Sequence, residues 1–195
     1  MACSVVVSSI YGNMSYNKKI MSPASGLGHK QAGGFAIVHT RKVMYKLILL
    51  FVSLPLSFVA NAALSEGELE QLATKFVEAK NARQQPDTTI QDIDAFINLI
   101  ADEFVDEHVK FKVTITEKSA LREGLIAKMS DKIYYSSIVI NEIMTGGNVA
   151  IIKMTESGKV RPNHLDKDIT YSSVNIVTLE FNDAKLITHI RRHHG

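Results

Sequence analysis

Two hydrophobic periods share this chain. Between residues 64 and 131 apolar side chains mostly recur every three or four positions, and beyond residue 132 they gather in β-branched runs that favour strands. A first helix is signalled by Ser65-x-x-Glu68, a capping box, with Leu64 and Leu69 placed as the hydrophobic staple around it. Leu69, Leu72, Ala73, Phe76 and Val77 then fall on one face with Glu and Lys opposite, so this helix is expected to lie on a core. Gln84, Gln85, Pro86 and Asp87 break the pattern. A second helix is predicted from Ile93, Phe96, Ile97, Ile100 and Phe104, which track one stripe over three turns. A third covers 117–131, with Leu121, Leu125, Ile126 and Met129 inward. Between these two, the alternation Val109-Lys110-Phe111-Lys112-Val113 predicts a short strand.

The runs 133–144 and 148–160 read as one hairpin across Thr145-Gly146-Gly147, and 169–181 and 186–193 as a second across Asn182-Asp183-Ala184-Lys185. The loop 161–168, with Pro162 and Asn163, joins them. Helices first and long hairpins afterwards is an α+β order, with three N-terminal helices on one face of an antiparallel sheet. Strands of about twelve residues twist and curl. The expected architecture is therefore a cone-shaped, curved antiparallel sheet closed by the helices, with an interior.

Charge divides the 195 residues differently. The first 62 hold six basic residues and no acidic one, which leaves 16 basic against 20 acidic in 63–195, a formal net of −4. That acidic balance argues against non-specific nucleic-acid binding, which needs clustered positive charge. Residues 44–62 have a basic start at Lys46, an apolar run over 47–59, and Ala60 and Ala62 flanking Asn61. This is the pattern of a secretory signal peptide, expected to be cut between Ala62 and Ala63. Broken by Pro55, the run falls short of the roughly 20 residues a spanning helix needs, so no stable membrane anchor is expected after cleavage. The destination would be the periplasm or the exterior. Residues 1–43 read as a non-native or unstructured leader, with translation starting at Met44 or Val43; a leader of the transit-peptide kind is the alternative. The one cysteine, Cys3, lies in that leader, so the domain 63–195 has no disulfide and no thiol chemistry.

From Leu69 onward the chain resembles the nuclear-transport-factor-two-like superfamily, especially its SnoaL-like branch. The resemblance rests on Ile100-Ala101-Asp102-Glu103-Phe104-Val105, on Leu121-Arg122-Glu123-Gly124, and on the closing Lys185-Leu186-Ile187-Thr188-His189-Ile190-Arg191-Arg192. It implies the cone just described. Chemistry does not follow from such a fold, because resembling proteins include isomerases, dehydratases, polyketide cyclases and dimerising adaptors. In steroid-isomerase-like members an aspartate at the entry to the first strand is the general base; an ungapped match puts His108 there, preceded by Asp106 and Glu107. A histidine can abstract a proton near neutral pH. For the tyrosine that stabilises an enolate in such members, Tyr134, Tyr135 and Tyr171 are the candidates.

Other polar residues are read from the pattern itself. Asn141, Lys153 and Asn175 interrupt apolar strand faces, and either orient a ligand inside the cone or lie on its outside, as register decides. His189 and His193 would be about 13 Å apart in a strand at ~3.3 Å per residue, too far to share a metal, and completing a site would need His108 or His164. No metal site is assigned and no cofactor is expected, since no phosphate-binding loop, nucleophile elbow or helical His pair occurs. Met129, Met144 and Met154 read as core filler.

The first expectation is an exported domain holding a small, largely apolar molecule, with Tyr135, Asn141, Lys153, Asn175 and Arg192 as binding residues and a homodimer formed through the outer sheet face. The second is a cofactor-independent isomerase, dehydratase or cyclase with His108 or Asp106 as base and a tyrosine or Arg192 as oxyanion partner. The third is an interaction module for another envelope protein. An inward, desolvated His108 would favour catalysis, and an exposed one binding or interaction.

Overall fold

Ser65 opens the first helix as its capping box requires. Its hydroxyl accepts from the Glu68 amide while the Glu68 carboxylate accepts from the Ser65 amide, and helix α1 runs Glu66–Ala82. Thr89 and Asp92 repeat the device for helix α2, Ile90–Ile97. The computed structural model describes residues 63–195, so the leader and the export signal lie outside the described residues. Helix α3 spans Lys118–Ala127 and ends in a 3₁₀ turn, Lys128–Ser130. Among the described residues, no helix is long and apolar enough to cross a membrane.

The strands are β1 (Ile100–His108), β2 (Val113–Ile115), β3 (Lys132–Gly146), β4 (Val149–Arg161), β5 (Ile169–Phe181) and β6 (Ile187–His194). They form one sheet in the order β2-β1-β6-β5-β4-β3. Every pairing is antiparallel except β1 with β6, which is parallel, so the sheet is mixed. The β3–β4 turn is Gly147-Asn148, with Gly147 at φ +62°, a left-handed conformation that costs a glycine nothing.

The second helix is shorter than its stripe predicts. After Asn98 and Leu99 the chain turns into β1, which takes Ile100 and Phe104 out of the helix. Their four-residue spacing is the product of a bulge: between the pairs Ile100–Ile187 and Val105–His189, β1 advances five residues while β6 advances two. The bulge sends Asp102 and Glu103 to solvent and returns Phe104 to the core, imitating a helical period. The strand expected over 109–113 is likewise replaced. Val109–Phe111 is a 3₁₀ turn and Lys112 adopts φ 54°, closing a hairpin in which His108 pairs with Val113.

One face of the sheet is packed by the helices. Leu69, Phe76, Ile93 and Phe96 from α1 and α2 meet Ile152, Leu179, Ile187 and Ile190 from the sheet, all essentially inaccessible to solvent. The Phe76 and Phe96 rings lie 5.5 Å apart, tilted. Each such side chain stabilises the fold by roughly 1.5–3 kcal/mol on burial. Of Met129, Met144 and Met154, the last is core, whereas the first two are exposed.

Candidate functional site

Toward the other end of the same sheet, the inward face turns from apolar to polar. Along β4 the inward residues are Ala150, Ile152, Met154, then Glu156, Gly158 and Val160; opposite them on β5 stand Leu179, Val177, Asn175, Ser173, Tyr171 and Ile169. Strand β6 sets His194 against Asn175 and Arg192 against Val177, and β1 sets His108 beside Arg192 and Asp106 beside Ile190. Cross-strand register alone thus collects Asp106, His108, Asn175, Arg192 and His194.

These groups border a cavity of about 210 Å³. At roughly 10–15 Å³ of such space per water molecule it is far larger than a packing defect. Ile115, Leu121, Leu125, Ile133, Val160 and Val177 supply its apolar wall. Gly158 gives it shape: a Cβ there would lie 2.7 Å from the Tyr171 hydroxyl and 2.9 Å from the Tyr135 carbonyl oxygen, so only glycine lets that ring lie across β4.

The polar base is tightly paired. The Arg192 guanidinium donates from Nε and Nη2 to the two oxygens of Asp106 at 2.8 and 2.9 Å, both side chains being almost completely buried. Burial alone would raise the Asp106 carboxyl; the fork of Arg192 overrides it and holds the group below the usual carboxylate range. Lys80 donates to Glu156, and Asn175 donates to the other Glu156 oxygen at 2.9 Å. Glu156 is opposed by its burial but brought down to about 2 by these partners, while burial lowers Lys80 to about 8 despite Glu156.

His108 is 7 % exposed, and its Nδ1 lies 3.1 Å from Nε2 of His194, so one ring donates and the other accepts. His108 Nε2 is 3.7 Å from Asp106. Burial, then the Arg192 charge, push His108 down to about 3, and the same two causes bring His194 to about 4. Near pH 7 both imidazoles are neutral, and His108 is a hydrogen-bonding group with little appetite for a proton. Asp106, committed to Arg192 through both oxygens, is a poor base for the same reason it is well buried.

Of the residues singled out in the sequence, His108, Asp106, Asn175 and Arg192 meet at the cavity base, and Tyr135 sits at its edge, 47 % exposed. Asn141 and Lys153 do not line it. Both are exposed: Lys153 falls between the inward Ile152 and Met154, and Asn141 sits at a register irregularity of β3 and accepts from Thr155. Among the tyrosines, Tyr171 lines the cavity and Tyr134 instead donates to Asp168. His194 does face His108, yet among the described residues no group of three or more potential ligands could hold a metal. Lys80, Arg83, Lys128 and Glu156 were not foreseen as site residues. Lys80 carried a signal, since it continues the buried stripe of Phe76 and Val77, a charge in a core position.

No protein-family model matches this sequence, and no curated protein does. Solved structures do. A protein from Shewanella denitrificans OS-217 provisionally assigned as a SnoaL-like polyketide cyclase aligns with a TM-score of 0.55 at 12 % identity, over 65 % of this chain and 89 % of that one. SalBIII, an epoxide hydrolase/cyclase-like enzyme with a role in pyran ring formation in the polyether salinomycin, aligns at 0.52 and 15 % identity, over 67 % and 93 %. An NTF2-like protein of unknown function from Exiguobacterium sp. 255-15 aligns at 0.51 and 10 % identity, over 64 % and 98 %. The chain has the nuclear-transport-factor-two-like fold.

Proposed function

We propose that the domain binds a small, largely apolar molecule inside its cone. The observation that carries this reading is the cavity itself: an apolar wall of Ile, Leu and Val over a base whose polar groups are already paired and held in place. The signal pattern at 44–62 supports export of the protein, with the mature chain starting at Ala63. A homodimer through the outer sheet face is supported by Val139, Met144, Ile151, Val174 and Ile176, which stand exposed on neighbouring strands β3, β4 and β5.

Native mass spectrometry of the protein purified from its own envelope fraction tests all three statements. A dimer beginning at Ala63 and carrying extra small-molecule mass is the expected result. A bare polypeptide mass would move the reading toward an interaction module for another envelope protein.

A second reading, a cofactor-independent isomerase, dehydratase or cyclase, is favoured by one observation: His108 is inward and desolvated beside Asp106. With its basicity so depressed, His108 would serve as a hydrogen-bonding partner to a developing charge more readily than as the base. Deuterium exchange into the α-position of a bound ketone, abolished in His108→Ala, would support that reading, and its absence in the parent protein would remove it.

A further inference from the structure

The cavity lining carries more cations than anions. Lys80, Arg83, Lys128 and Arg192 face it against Asp106, Asp131 and Glu156, and the two histidines add no charge near pH 7. Arg192 is matched by Asp106 and Lys80 by Glu156, while the Arg83 guanidinium lies 4.3 Å from the centre of the Phe96 ring. Lys128 differs from them all. It stands on the 3₁₀ turn after α3, half-buried, and among the described residues its ammonium makes no hydrogen bond or ion pair; Asp131 acts on it only at longer range.

A part-buried cation without a close counter-charge is held at a cost, and an anion entering the cavity restores the balance. The neighbouring groups register the same positive field. Lys80, His108, Lys128 and His194 all bind protons less readily than usual, burial being the first cause and the Arg192 charge a further one in each.

We propose that the molecule held here is a monoanion: an apolar body against Ile115, Leu121, Leu125 and Ile133, ending in a single carboxylate beside the Lys128 ammonium. One excess cation calls for one negative charge, which disfavours dianions such as phosphate monoesters. The inference rests on the reading that the cavity binds a small molecule at all.

Binding is linked to pH. Burial and then Arg83 lower Lys128 to about 7, with Lys80 and Arg192 adding to the effect and Asp131 opposing it. A bound carboxylate raises that value, so binding takes up a proton, and affinity falls as pH rises beyond about 7, by up to about tenfold per unit.

Calorimetric titration of the purified protein with octanoate, octan-1-ol and octylamine separates the outcomes. At pH 6.5 octanoate should bind about tenfold or more tighter than the alcohol, with octylamine weakest. Lys128→Met should erase the octanoate advantage through lost octanoate affinity, without lowering the thermal midpoint, since it removes a charge the folded state holds at a cost. Lys128→Arg should keep the advantage and flatten its pH dependence. An alcohol that binds as well as octanoate, a tighter octylamine, or an advantage that survives Lys128→Met overturns the anion proposal and leaves the pocket standing. Failure of all three probes takes the pocket reading down with it.

Discussion

The two ends of β4 and β5 meet different surroundings although the strands pair without a break in register along their length. At one end Ala150, Ile152, Val177 and Leu179 press on α1 and α2, and no polar side chain intrudes. At the other, Glu156, Ser173, Val160 and Tyr171 face a cavity lined by α3, the 84–88 segment and the start of β3. Between them lies the paired layer of Asp106, Arg192, Lys80, Glu156 and Asn175. One half of the sheet thus carries the dry core, while the other half is lined rather than filled. The ion pairs at the boundary are weak evidence for stability in their own right; their consequence is a rigid, polar floor for the cavity.

If this division is right, damage should sort by location. The largest loss is expected at the dry end: Phe96→Ala removes the ring packed on Phe76 and should cost about 3–5 kcal/mol, read from urea unfolding. At the boundary, Asp106→Ala or Arg192→Met alone should cost roughly 3 kcal/mol, because each leaves a buried partner charge uncompensated. The double variant Asp106→Leu/Arg192→Met should regain most of that stability, which a dry-end double variant would not.

Acid should reach the boundary before it reaches the core. His108 has a folded-state pKa of about 3 against 6.5 unfolded, so stability is fully present above about pH 6.5 and is lost as pH falls toward 3. The slope from His108 approaches about 1.4 kcal/mol per pH unit, and His108→Gln should make the measured dependence shallower. Glu156, lowered to about 2, adds loss in the same direction below its ordinary range near 4.5. The smallest effects belong to the outer face: Lys153→Ala and Asn141→Ala should change stability by less than about 0.5 kcal/mol and leave ligand binding untouched. A marked loss of binding in either would put the pocket on the wrong side of the sheet.

The dry end was the more legible half in the sequence. The capping box at Ser65 and the stripe Leu69, Ala73, Phe76 speak through local spacing, and so do the two long hairpins. What escaped was non-local. A bulge in β1 spaced Ile100 and Phe104 like a helix, and the parallel pairing of β1 with β6 joins residues 80 or more positions apart. The candidate site depends on that pairing, which brings His108 to Arg192 and Asp106 to Ile190. Asn175 reached the interior and Lys153 the exterior because inward and outward positions alternate, and only register tells them apart. Lys128 gave no signal, since a lysine at the end of a helix is commonplace.

Methyl-resolved NMR of the protein titrated with octanoate tests the division most directly. The account predicts saturable shifts at Ile115, Leu121, Leu125 and Ile133, with Leu69, Ile93 and Ile190 unmoved. Shifts confined to Val139, Val174 and Ile176 on the outer face, or no saturable shift at any methyl, would contradict it.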